Sequence, residues 1–164
     1  MDLAIVPGTV YIQDCVWNHL SKLYTLDLAT GKATFIGEFI TEVYDIAFVD
    51  SQLYGIDREG GTTQLVKIDI KTGETIVIGD TGFPTSGLAY NAQRQTLYAS
   101  TAKQLIALDL KTGKGTPVAT VANKDYNCGE LAFDSNGIAY IPLIGYEKKK
   151  LLARCNLDHL RLLF

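Results

Sequence analysis

The chain has 164 residues, 47% of them hydrophobic and 20% charged, with fifteen glycines and four prolines, a globular composition long enough for one core or a small set of repeats. A formal charge of −3 argues against a general affinity for nucleic acid or for anionic membrane. Three cysteines without a C-x-x-C pair suggest neither a disulfide framework nor a zinc knuckle.

The start, "MDLAIVPGTVYIQD", carries neither a basic leader nor a long apolar run. No segment reaches the apolar length of a membrane-spanning helix. The expected setting is therefore the cytoplasm, without a membrane partner. Asp2 opens the first of four related phrases: "DLAIVPGTVYIQD", "DIAFVDSQLYGID" from Asp45, "GLAYNAQRQTLYAST" from Gly87 and "ELAFDSNGIAYIP" from Glu130. Apolar residues alternate with polar ones on either side of turn formers such as "PG", "DS" and "DSNG". That pattern predicts strand, turn, strand.

A second phrase interleaves with the first. "LYTLDLATGKATFIG" covers residues 23–37, followed by "LVKIDIKTGETIVIG" and "LIALDLKTGKGTPVA". The turns "ATGK", "KTGE" and "KTGK" put Gly31, Gly73 and Gly113 where a short hairpin needs a left-handed residue. Asp27, Asp69 and Asp109 stand four residues earlier, where Asp caps a turn. "TGKGT" at 112–116 is no phosphate loop, since it lacks the P-loop spacing and sits in a hairpin. In the fourth copy, "LARCNLDHLRLLF", His159 and Leu160 replace Thr and Gly.

Each unit therefore holds four short antiparallel strands, A to D from inside out. Four units span about 2–41, 42–84, 85–126 and 127–164 as one domain. A lone meander of this size has two open edges and little core, so such units must stack. Four-strand repeats of this length are the mark of a β-propeller. "LYTLDLATGKATFIG", "GLAYNAQRQTLYAS" and "LYGIDREGGTTQLVKIDIKTGE" resemble blades of the broad propeller superfamily that includes YVTN-type, NHL-type and gluconolactonase-like repeats. The resemblance implies an all-β propeller of four four-stranded blades, either a closed four-bladed ring or half of a larger ring completed by dimerisation. It implies no single function. Ala4, Ala47, Ala89 and Ala132 place a methyl group at one position of every A strand, and Ile5, Phe48, Tyr90 and Phe133 follow as wedge fillers.

Strand order puts the D–A and B–C loops on one face and the short A–B and C–D turns on the other. The loop-rich face is the expected functional one. Trp17, His19, Tyr44, Phe83, Tyr126 and Tyr146 are its candidate ligand-binding residues, for a protein or small-molecule ligand. Asp2, Asp45 and Glu130 open equivalent A strands, and three carboxylates round one axis suit Ca²⁺. Gluconolactonase-like propellers carry an axial metal, so the resemblance also implies a lactonase-like, metal-dependent hydrolase as the alternative to a non-enzymatic binding scaffold. Their full ligand pattern is absent here. A nucleophilic dyad would need His19 with Cys15 or Cys128, oriented by Asp14 or Asp125. No catalytic residue is assigned, and the expected assembly is a homodimer.

Overall fold

The computed structural model describes residues 2–6, 8–14, 20–39, 41–59, 61–121, 125–145, 150–157 and 161–163. Among them the regular elements are strands, in four antiparallel sheets that follow chain order. The first sheet is β1 (Asp2–Val6), β2 (Thr9–Asp14), β3 (Lys22–Leu26) and β4 (Ala33–Glu38). The second is β5 (Val43–Val49), β6 (Gln52–Glu59), β7 (Thr62–Ile68) and β8 (Thr75–Asp80). The third is β9 (Thr85–Asn91), β10 (Thr96–Thr101), β11 (Gln104–Leu108) and β12 (Gly115–Thr120). In the fourth, the inner strand is in two pieces, β13 (Tyr126–Cys128) and β14 (Ala132–Phe133), both paired with β15 (Ile138–Gly145). β16 (Lys150–Asn156) and β17 (Arg161–Leu163) complete it. These are four propeller blades.

The inner strands pack in sequence, β1 on β5, β5 on β9 and β9 on β14. Three apolar clusters fill the three seams, and each draws on two adjacent blades. Tyr11 and Leu23 meet Ile46 and Val66; Ile56 and Leu65 meet Leu97 and Ile106; Tyr98 and Leu105 meet Ile141 and Ala153. Two of the wedge fillers, Phe48 and Phe133, do what their size predicts. Phe48 lies edge-on to Tyr11 of the preceding blade with ring centroids 5.3 Å apart, and Phe133 meets Tyr98 at the same distance. The small residue of strand A explains the room: Ala4 and Ala89 pair in register with Tyr11 and Tyr98, leaving space beside each tyrosine for the next blade's ring.

The C–D hairpins repeat one solution three times. Gly31, Gly73 and Gly113 have φ of 71°, 77° and 78°, the left-handed region expected of them. Asp27 Oδ1 accepts from the amides of Ala29 and Thr30, Asp69 Oδ1 from Lys71 and Thr72, and Asp109 Oδ1 from Lys111 and Thr112. The acids therefore tie their own turns.

The last residue of the phrase has a job that its sequence does not announce. A β-bulge at Ile36 puts both Ile36 and Gly37 on the side facing the second blade, and the same bulge recurs at Ile78 before Gly79. A Cβ on Gly37 would lie 1.8 Å from the Thr72 carbonyl oxygen, and one on Gly79 would lie 2.2 Å from that of Thr112. The C–D turns of blades two and three thus seat on the glycine of the blade before them. The third copy has Ala119 at that position, and the fourth blade is also the one whose turn lost Thr and Gly.

Candidate functional site

Where the inner strands reach the loop-rich face they are irregular in successive blades. β5 bulges at Tyr44, β9 bulges at Ser86, and the inner strand of blade four breaks between Cys128 and Ala132. A bulge re-aims the side chain of its extra residue out of the ladder. Tyr44, Ser86, Asn127 and Cys128 all line one cleft of about 340 Å³, together with Arg58, Thr62, Thr63 and Thr85. The cleft therefore draws walls from blades two, three and four, on the face the loop pattern favoured.

Arg58 is exposed, and its Nη1 donates to the Tyr44 hydroxyl at 3.2 Å. That bond, with a smaller contribution from Glu42, holds the guanidinium in its charged form above the ordinary arginine value. Beneath it lies a threonine latch. Thr63 Oγ1 sits 2.5 Å from Thr85 Oγ1 and 3.1 Å from Thr81 Oγ1, and both Thr63 and Thr81 hydroxyls reach the Phe83 carbonyl. All three threonines are buried, so their bonds fix the crossing from blade two to blade three. Nothing in the composition of "DTGFPTS" signals this latch; it depends on bringing residue 63 across the B–C hairpin to residues 81 and 85.

The aromatic candidates separate. Tyr44 lines the cleft. The half-buried Phe83 packs into the seam between blades two and three, and a Cβ on Gly115 would meet its Cδ2 at 3.1 Å. Tyr126 packs on the seam of blades three and four, its carbonyl oxygen accepting a bond from Lys103 Nζ. Trp17, His19 and Tyr146 lie outside the described residues, as does Cys15.

Of the axial acids, Asp45 and Glu130 differ in setting, and the Asp2 side chain lies outside the described residues. Asp45 is 6% exposed, and its carboxylate joins two blades: Oδ1 accepts from the Ile46 amide at 2.7 Å and Oδ2 from the Leu88 amide at 2.6 Å. At the equivalent place in blade three stands Gly87, where a Cβ would lie 2.9 Å from the Leu131 nitrogen. The fourth blade comes too close there for a side chain. Ser100 Oγ donates to the Gly129 carbonyl at 2.7 Å and ties the two blades instead. Glu130 is exposed in the break of the inner strand, and β1 begins at Asp2. Among the described residues no three His, Cys, Asp or Glu side chains form a group able to hold a metal.

Of the thiols considered for a dyad, Cys128 is buried, and desolvation pushes it up to about 11, only partly offset by the charge of Lys103. It is a thiol at neutral pH, not a thiolate nucleophile. Asp14 is engaged locally: Oδ1 accepts from the Lys22 amide at 2.6 Å and Oδ2 from the Tyr24 hydroxyl at 3.2 Å.

No protein-family pattern matches the sequence, and no curated protein sequence matches it. Solved structures do. The PQQ-bound aldose sugar dehydrogenase of Streptomyces coelicolor aligns over 92% of this chain and 58% of its own, with TM-score 0.68 and 16% identity. TolB of Acinetobacter baumannii aligns over 99% of this chain and 42% of its own, with TM-score 0.67 and 12% identity. A chain of the nidogen/laminin complex aligns over 96% of this chain and 60% of its own, with TM-score 0.70 and 16% identity. The chain spans between two fifths and three fifths of the length of these proteins. Identity this low carries the fold alone, and together with the four stacked meanders it identifies a β-propeller.

Proposed function

We propose that this propeller is a non-enzymatic binding scaffold whose ligand, a small molecule or a protein side chain, presents a carboxylate to the cleft of blades two to four. The observation that carries the reading is the pair of bulges that turn Tyr44 and Ser86 into one cleft beside the exposed Arg58. Bulges re-aim side chains, and they are common at sheet rims and beside functional sites. Arg58 offers several N–H donors in a planar fork suited to a carboxylate, and Tyr44 fixes part of that fork in place. The threonine latch supplies a rigid floor, which lowers the ordering cost of binding.

The test uses a panel of di- and tricarboxylic acids as probes, read by amide chemical-shift perturbation. Shifts should gather at Tyr44, Ser86 and Asn127 and disappear in Arg58→Ala, while Arg94→Ala leaves them intact. Shifts scattered over the turn-rich face, or surviving Arg58→Ala, defeat the reading.

A further inference from the structure

The two ends of the blade series carry the same residue positions as its internal seams, but uncovered. On the side facing the following blade, Leu23, Leu65 and Leu105 are equivalent and each is 0% exposed. Their counterpart in the fourth blade, Leu152, is 60% exposed. Ala132 is exposed where Ala4 and Ala47 are buried, and Tyr140 is only half-buried where Tyr11, Tyr54 and Tyr98 are buried. Ile144, on the same side of β15 as Tyr140, is 52% exposed. Large apolar side chains of this sheet face thus stand in water, beside the exposed Arg154 and Lys150 that share the side by register.

The opposite end is its complement. Ile70, Leu110 and Leu157 pack into the cluster shared with the preceding blade, whereas their equivalent in blade one, Leu28, is 73% exposed. Tyr24 and Leu26 are half-buried where Val66 and Ile68 are fully covered, although Val10 and Ile12, nearer the axis, are buried. The C–D turn repeats the contrast. A Cβ on Gly113 would strike the Gly79 carbonyl oxygen at 2.4 Å and one on Gly73 would press on Gly37 at 3.2 Å, both in the preceding blade, but one on Gly31 would have nothing within 4 Å. A groove beside this turn measures about 550 Å³, against about 280 Å³ for its repeat-related counterpart on blade two. No packing comparable to β1 on β5 joins the strands of blades one and four among the described residues.

We propose that these two faces are the halves of a fourth kind of seam, formed between copies of the chain: the Leu152 face of one copy receives the Leu28 face of another. The occupant follows from continuity with the internal seams. A face bearing Leu, Ala and Tyr at these positions accepts a blade back with apolar residues on strands B and C and a left-handed glycine in its C–D turn. That is what blade one presents, and among the described residues no seam like the internal ones joins the chain's own two end faces. The contact is head to tail, so two copies close it into a ring only if their rotations sum to a full turn, and otherwise it propagates.

Native mass spectrometry and sedimentation over the micromolar range test this, with Leu152→Asp and Leu28→Asp as variants. Both side chains are exposed, so unchanged melting temperatures should show that each variant folds. The wild-type chain should associate, and each variant alone should weaken association by at least about tenfold. Mixing the two variants should restore a heterodimer, since one intact face of each kind remains. A wild-type chain that stays monomeric throughout overturns the proposal and leaves the faces to some other covering. Association that survives both substitutions overturns it as well. Association lost in each variant but not restored by mixing rules out the head-to-tail geometry.

Discussion

Blades two and three differ from blades one and four in what surrounds the same motif. In the middle of the series, a C–D turn is held twice, by its own Asp and by the glycine of the preceding blade. At blade one the identical turn is held once, by Asp27. Leucine behaves in parallel, fully covered at residues 65 and 105 and open to water at 152. One local sequence can thus form the same local structure with very different energetic weight. What differs is whether a neighbouring sheet removes it from water.

The largest effect should come from glycine. Gly37→Ala would place a methyl group within 1.8 Å of a backbone oxygen that has no rotamer to escape into. It should cost about 3 kcal/mol or more in denaturant unfolding. Gly31→Ala meets open space and should cost about 1 kcal/mol, from left-handed strain alone. Equal costs would break the contrast between seated and free turns.

Leucine sharpens it. Leu105→Ala empties a fully buried site and should cost about 3 kcal/mol, whereas Leu152→Ala should stay within about 0.5 kcal/mol under conditions where the chain is monomeric. A large loss at Leu152 in the monomer would mean that its face is already covered within one chain.

Acid titration is the smallest probe. The Thr30 hydroxyl and the Ala29 amide hold the Asp27 carboxyl below its ordinary value, and the Lys111 and Thr112 amides do the same for Asp109. The Gly82 amide and the Thr62 hydroxyl lower Asp80. A carboxyl depressed in the folded state stabilises above its unfolded pKa and loses that contribution as pH falls through its folded pKa. The melting temperature should therefore decline from about pH 5 towards about pH 2, and Asp27→Asn with Asp109→Asn should flatten part of that decline. Because both carboxylates are exposed, the change should be modest and should shrink further in high salt. A decline untouched by the double substitution would assign acid sensitivity to other groups.

The local code was written in full in the amino-acid order. Alternation gave strands, the T-G pairs gave left-handed turns, and Asp at a fixed spacing gave caps, because each depends only on neighbours along the chain. The repeat length then gave the blade, and the small-then-large pair in strand A gave the wedge between blades. Asp45 shows where that reasoning stops. Its position suggested a cation ligand; spacing gave no sign that its two oxygens accept from the amides of Ile46 and Leu88, the second of them 43 residues away in the next blade. Phe83 sits in a variable loop but turns inward, because the seam beside Gly115 has room for a ring.

The sequence by itself determined the strands, their turns and the four-blade repeat, since hydrophobic period and backbone sterics act over a few residues. Tertiary structure alone decided which members of each equivalent set are buried, which bulges aim Tyr44 and Ser86 into one cleft, and why the phrase ends in glycine at residues 37 and 79. Those properties belong to contacts between blades. A contact between blades depends on how two sheets meet in space, and the repeat spells the same letters whether or not a neighbour is there.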